Sequence, residues 1–108
     1  MKNGIYRVSF ESNQSSFGEG IVVVCNGKAH GGDIGFTFRG ELSSPVLELS
    51  VSRYNDEIPS VLGVEGDYQL ILEYVKSGDD EYRLTGYVKG HKDKKIVAYA
   101  VLLVELLE

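Results

Sequence analysis

His30-Gly31-Gly32 has the residue types of a glycine-rich segment that offers backbone N–H groups to an oxyanion. That chemistry also needs a nucleophile on a strand-to-helix elbow of the form G-x-S-x-G, and the chain contains no such motif. The segment therefore reads as a hairpin turn, where glycine supplies the unusual backbone angles. Gly18-Glu19-Gly20 lacks the lysine and the following helix that let a glycine-rich loop hold phosphate, so it reads as a bend within a strand.

Metal binding requires several convergent ligands, but His30 and His91 are far apart in the chain, each beside glycine, and Cys25 is the only cysteine. No metal or other cofactor is expected. Cys25 ends an Ile-Val-Val-Val run and reads as a small buried hydrophobe that can form no intrachain disulfide. A glycosidase pair could be imagined among the 16 carboxylates, but most lie beside Gly, Pro or Asn, where solvated turns account for them. Lys92, Lys94 and Lys95 form the one basic cluster, interrupted by Asp93, and read as a solvated loop. With no legible set of nucleophile, base and electrophile, the chain is expected not to be an enzyme.

A length of 108 residues suits one domain, residues 1–108, with one core. No run of 18 apolar residues occurs, and Met1 to Gly4 lead straight into a strand pattern, which predicts a cytoplasmic protein outside the membrane. A net charge of -5 opposes direct nucleic-acid binding, which draws its affinity from lysine and arginine, and suits a basic protein partner.

The dominant period is two, the signature of strands. Tyr6, Val8 and Phe10 alternate with Arg7 and Ser9, and residues 17–25 form a second strand running into Asn26-Gly27, a tight-hairpin pair. The run Ser12, Asn13, Gln14, Ser15, Ser16 joins these two strands. Ile34, Phe36 and Phe38 share a face, as do Leu47, Leu49 and Val51; Tyr68, Leu70, Leu72 and Tyr74; and Tyr82, Leu84, Gly86 and Val88. Residues 55–67 break the pattern at Pro59, Gly63 and Gly66 and are placed as a loop over a barrel mouth. After a loop from Gly90 to Lys94, residues 95–107 are apolar on both faces, with Val97, Tyr99, Val101 and Leu103 opposite Ile96, Ala98, Ala100, Leu102 and Val104.

An open sheet of seven or eight such strands leaves two unpaired edges with no helix to cover them; closure removes both. Gly18, Gly20, Gly35, Gly40 and Gly86, placed within strands, permit the coiling that closure needs. The expected fold is all-β: a single antiparallel up-and-down β-barrel of about eight strands, with a small β-sandwich as the alternative. Core packing is the plainer reading of its 7 tyrosines and 4 phenylalanines. A barrel of about eight strands is also wide enough for one small molecule.

Several stretches together resemble the GrlR family of type III secretion negative regulators. They are Asn3-Gly4-Ile5-Tyr6, Gly18-Glu19-Gly20-Ile21, Gly31-Gly32-Asp33-Ile34, and above all Arg53-Tyr54-Asn55-Asp56-Glu57-Ile58-Pro59-Ser60-Val61-Leu62, continuing to Asp67-Tyr68-Gln69-Leu70. They follow one another at similar spacing over nearly the whole chain. The resemblance implies a homodimer of lipocalin-like (calycin-like) barrels, each with an apolar cavity and a plug-like loop. It also implies a repressor that sequesters a transcriptional activator of virulence secretion genes. The family presents an exposed Glu-Asp-Glu-Asp run to that activator, where this chain has Ser43, Ser44, Pro45 and Val46. At about 0.2 to 1 kcal/mol per exposed charge pair, losing four costs roughly 1 to 4 kcal/mol, or about one to three decades of affinity. The resemblance therefore assigns no contact residues.

Two functions are expected on these grounds. The first is a regulatory binding protein whose partner is a basic helix-turn-helix activator. The second is a carrier or sensor of a small apolar ligand, lined by Tyr6, Phe10, Phe36, Phe38, Leu49, Leu70 and Leu84. If Ile96, Ala98 and Ala100 face inward, then Val97, Val101 and Leu103 form an outward patch of roughly 500 Å², enough for two copies to form a minimal homodimer.

Overall fold

The computed structural model describes residues 1–14 and 16–107; Ser15, expected in the first turn, lies outside them, as does Glu108. Eight strands follow in chain order: β1 (Gly4–Ser12), β2 (Phe17–Cys25), β3 (Lys28–Gly32), β4 (Phe36–Ser43), β5 (Val46–Arg53), β6 (Tyr68–Gly78), β7 (Glu81–Val88) and β8 (His91–Glu105). Each pairs antiparallel with its chain neighbours, and β8 pairs back onto β1, so the sheet closes as an up-and-down barrel with the lipocalin-like arrangement. No helix occurs among the described residues, and none is long and apolar enough to cross a membrane.

Period-two patterning fills the inside. Tyr6, Phe36, Phe38, Leu49, Leu70, Leu72 and Leu84 are buried in one apolar cluster, and the intervening Arg7, Thr37, Arg39, Glu48, Gln69, Glu73 and Arg83 are exposed. Asn26 and Gly27 adopt φ of 51° and 77°, the positive values a two-residue hairpin needs to match strand twist. The two ends of the barrel differ. One carries the short turns at Asn26-Gly27, Ser44-Pro45 and Asp79-Asp80; the other carries the first turn, the link through Asp33 to Gly35, the long loop between β5 and β6, and the Lys89-Gly90 turn.

Four local expectations are corrected. His30-Gly31-Gly32 is strand β3, with Gly31 opposite Val22 and Phe38, because glycine lets neighbouring backbones approach: a Cβ on Gly31 would lie 1.9 Å from the Ile21 carbonyl oxygen. Ile34 and Gly35 are then in the link after β3, and Ile34 faces solvent instead of sharing the face of Phe36. Cys25 is exposed at the end of β2, not buried. Finally, β8 begins at His91, so Lys92 and Lys94 are strand residues.

A bulge alters the other end of β8. Tyr6 pairs with Leu102, but Ile5 pairs with Val104, so Leu103 is left without an opposite residue. The slip moves Val104 from the inner row, where alternation puts it, to the outer surface beside Ile5.

Candidate functional site

The interior is not packed solid. A cavity of about 600 Å³ runs through the barrel, so the close-packed aromatic core expected from the ring count is replaced by rings arranged around a space. Tyr6 and Phe10 reach it from β1, Phe36 and Phe38 from β4, Leu49 from β5, Leu70 from β6 and Leu84 from β7. All seven side chains assigned to the interior by alternation line this one space. Alternation alone did not identify the further contribution of Ile58, Pro59, Ser60 and Val61 from the long loop. The apolar character of Ile58 and Val61 within a Pro/Gly-punctuated segment was the available signal.

The cavity exists because small residues stand opposite rings. Phe10 faces Gly18 and Ala98 across its two ladders. A Cβ on Gly18 would sit 2.4 Å from the Phe10 ring, so the ring lies over bare backbone. Ala98 and Ala100 of β8 likewise leave space where larger residues would fill it. Phe10 meets Phe38 edge to face at 6.3 Å.

The short-turn end is closed by three tyrosines. Tyr82 meets Tyr6 at 6.1 Å and Tyr74 at 6.4 Å between ring centroids, both edge to face. The Tyr6 hydroxyl donates to the Lys2 carbonyl oxygen at 2.7 Å. Burial pushes the Tyr6 phenol up to about 12, with the nearby Tyr82 and Asp80 acting in the same direction. Lys2 holds the outside of this end through an ion pair with Asp80 at 2.9 Å, which raises the lysine's own pKa.

The loop over residues 54–67 seats in the other end as a plug. Leu62 is 0% exposed. Its carbonyl oxygen accepts from Lys94 Nζ at 3.2 Å, and the Ser12 hydroxyl donates to the Val61 carbonyl. Lys94, placed in a solvated loop by sequence, thus latches the plug. Ile58 packs where a Cβ on Gly35 would come within 2.6 Å, so glycine is needed there for close approach. The Tyr54 hydroxyl donates to the Asp33 carbonyl, and Asp33 Oδ1 accepts from the Gly35 and Phe36 amides at 2.8 Å each. These bonds tie plug, link and strand together.

Apart from the Tyr6 hydroxyl, the polar side chains of the described lining lie at the plug end. Ser16, Glu19, Asp33, Ser60 and Tyr68 line the cavity there, beside the exposed apolar rim residues Phe17 and Ile34. Burial raises the Tyr68 phenol, and its oxygen accepts from Ser60 Oγ at 3.5 Å. Arg53 shares the inward face with Phe36, its guanidinium 5.3 Å from the ring centroid and its Nε buried without a hydrogen-bond partner.

The remaining candidates lie elsewhere. His30 points outward between Val23 and Arg39, and no group of three His, Cys, Asp or Glu residues converges to hold a metal among the described residues. Lys92 lies 5.8 Å from the Tyr87 ring centroid on the outside. On the outer surface Val97 sits between Glu11 and Thr85, and Val101 between Arg7 and Glu81. The apolar outer patch centres on Ile5, Val23 and Val104, with Val101 and Leu103 at its border. Comparison with protein-family models and with curated proteins finds no match for this chain.

Proposed function

We propose that the chain is a regulatory binding protein without catalytic activity, a cytoplasmic negative regulator of type III secretion genes that sequesters a basic helix-turn-helix activator. The observation that carries this reading is the placement of Arg53 to Leu62, the stretch in which the GrlR resemblance is most specific. Arg53 ends β5 and residues 54–62 lie in the plug of a closed eight-stranded barrel, the architecture the resemblance implies. The exposed Asp56, Glu57, Glu65 and Asp67 around the plug suit a basic partner. The Ser43 to Val46 hairpin lies at the opposite end and bears no acid, which separates this chain from the family's usual contact. The test is co-purification from the native host with an activator encoded nearby. Its capture, with DNA binding by the activator blocked in proportion to added barrel, supports sequestration; a pull-down containing no such protein counts against it.

The homodimer belongs to the same proposal. The patch of Ile5, Val23, Val104, Val101 and Leu103 would be its contact, and Val104→Asp is expected to shift the sedimentation coefficient from dimer to monomer. A wild-type protein that sediments as monomer at micromolar concentration refutes it.

The cavity favours a second reading, binding of a small apolar ligand. Its 600 Å³ lies within the range of small-molecule sites, about 300 to 1,000 Å³. Left empty, at about 24 cal/mol per Å³, the space would cost about 14 kcal/mol. That equals the whole stability of a typical domain, about 5 to 15 kcal/mol. Filled with water at about 30 Å³ each, it would hold about 20 molecules, and those against the apolar walls would lose hydrogen-bond partners on that side. An apolar occupant resolves both difficulties. Native mass spectrometry of the gently purified protein is expected to show a bound mass that organic extraction removes; protein of apo mass alone, with a dry and collapsed interior, dismisses this reading.

A further inference from the structure

Resting on the ligand-binding reading above, we infer that the cavity takes an uncharged amphiphile with one hydrogen-bond-accepting head, a hydroxyl, ketone or ester carbonyl, held at Tyr68.

The body of the ligand follows from the walls. At the deep end the polar side chain among the described lining residues, Tyr6, already donates its hydroxyl hydrogen bond to the Lys2 carbonyl oxygen. All other polar side chains in the lining lie at the plug end, so the cavity offers one polar pole and a long apolar remainder. A molecule matching it has a single head and an extended apolar tail. Phe17 and Ile34, 77% and 72% exposed, give that tail an apolar rim to cross on entry.

The head follows from charge and from unspent hydrogen bonds. The residues with charged side chains in the lining are Glu19, on the outward row at the rim, and Asp33, both acidic, which disfavour an anionic head. Arg53, at the plug end, lies over the Phe36 ring and is not part of the lining. Tyr68 is half-buried and, as a phenol, protonated at neutral pH; its side-chain hydrogen bond among the described residues is the long one with the Ser60 hydroxyl, at 3.5 Å. A ligand oxygen at normal hydrogen-bond distance would take that proton in place of the long contact. An ammonium head would suit the carboxylates but has no lone pair to offer Tyr68, and carrying its charge into the apolar bore is unfavourable. A neutral oxygen acceptor satisfies the tyrosine and leaves Glu19 in solvent and Asp33 on the Gly35 and Phe36 amides.

The test uses the whole, delipidated protein and the neutral fluorescent probe N-phenyl-1-naphthylamine, displaced at neutral pH by molecules sharing one alkyl chain: dodecanol, methyl dodecanoate, dodecylammonium and dodecanoate. The alcohol and ester are expected to displace the probe at concentrations about tenfold lower than either charged amphiphile. In Tyr68→Phe, dodecanol should lose about fivefold, the worth of one neutral hydrogen bond. A far-ultraviolet circular dichroism spectrum matching that of the wild type reports that the variant is folded. Displacement by dodecanoate or dodecylammonium equal to that by dodecanol overturns the head assignment while leaving ligand binding intact. An unchanged dodecanol midpoint in Tyr68→Phe overturns the role of Tyr68. No probe binding by wild-type protein overturns the ligand-binding reading itself.

Discussion

Replacing Ala98 with leucine tests whether the interior space is real, because the sign of the effect depends on it. Ala98 faces inward on β8 between Phe10 and Leu84, is 6% exposed and lines the cavity. Leucine adds three carbons, at about 0.8 kcal/mol each once buried, or about 2.4 kcal/mol gross. Ordering the longer side chain costs about 0.5 to 1 kcal/mol, leaving a net gain of about 1.5 to 2 kcal/mol. For a domain of this size about 4 to 8 °C accompanies each kcal/mol, so the midpoint of thermal unfolding should rise by roughly 6 to 15 °C. The assay is calorimetry on delipidated protein, so that no ligand contributes to the wild-type value. In a close-packed interior the same change would overpack by about 1 to 3 kcal/mol and lower the midpoint. A lowered midpoint would therefore refute the cavity and, with it, the argument for an apolar occupant.

Gly86→Ala is expected to destabilise by about 2 to 4 kcal/mol, because its Cβ would lie 1.9 Å from the Ile71 carbonyl oxygen in the β6–β7 ladder. Gly66→Ala, with φ of 75° but nothing within 4 Å, should cost only about 1 kcal/mol; equal urea midpoints for the two variants would contradict the close approach at Gly86. The raised Tyr6 pKa predicts alkaline destabilisation: the fold favours the protonated phenol, so this stability is complete below about pH 10 and is lost as pH rises through about 12. Tyr6→Phe should flatten that part of the stability–pH curve, and an unaltered curve would refute the assignment. Leu62→Ala removes a fully buried plug contact worth about 2 to 5 kcal/mol. The loss should appear first as faster hydrogen exchange in residues 54–67, with the barrel strands exchanging later; uniform acceleration throughout the chain would show instead that plug and barrel open together.

Where side chains alternate strongly, the reading from sequence was close to the structure. Tyr6-Val8-Phe10, Leu47-Leu49-Val51 and Tyr68-Leu70-Leu72-Tyr74 all point inward as their period requires. Strand β3 was not legible: in Lys28–Gly32 two of five positions are glycine, which carries no side chain to show a period, and the segment resembles a turn in composition. Ile34 failed for the linked reason, since recognising β3 moves the link to Asp33–Gly35 and puts Ile34 in it. Val104 failed because a bulge is a property of two paired strands, and one extra residue in β8 relative to β1 reverses the face of every residue beyond it. Lys94 looked like a solvated cation among others; its bond to Leu62 joins residues 32 positions apart, a separation that no local pattern reports.

Sequence by itself determined the all-strand architecture, the inward and outward rows, the Asn26-Gly27 hairpin and the apolar plug segment, because each depends on contacts a few residues long. Tertiary structure alone decided that the inward rows stand around a cavity instead of meeting. The bore of a barrel depends on how many strands close and how far they tilt, and each ring's reach depends on what faces it, as Gly18 and Ala98 face Phe10. Those are properties of the closed sheet, and they come into being only when β8 returns to β1.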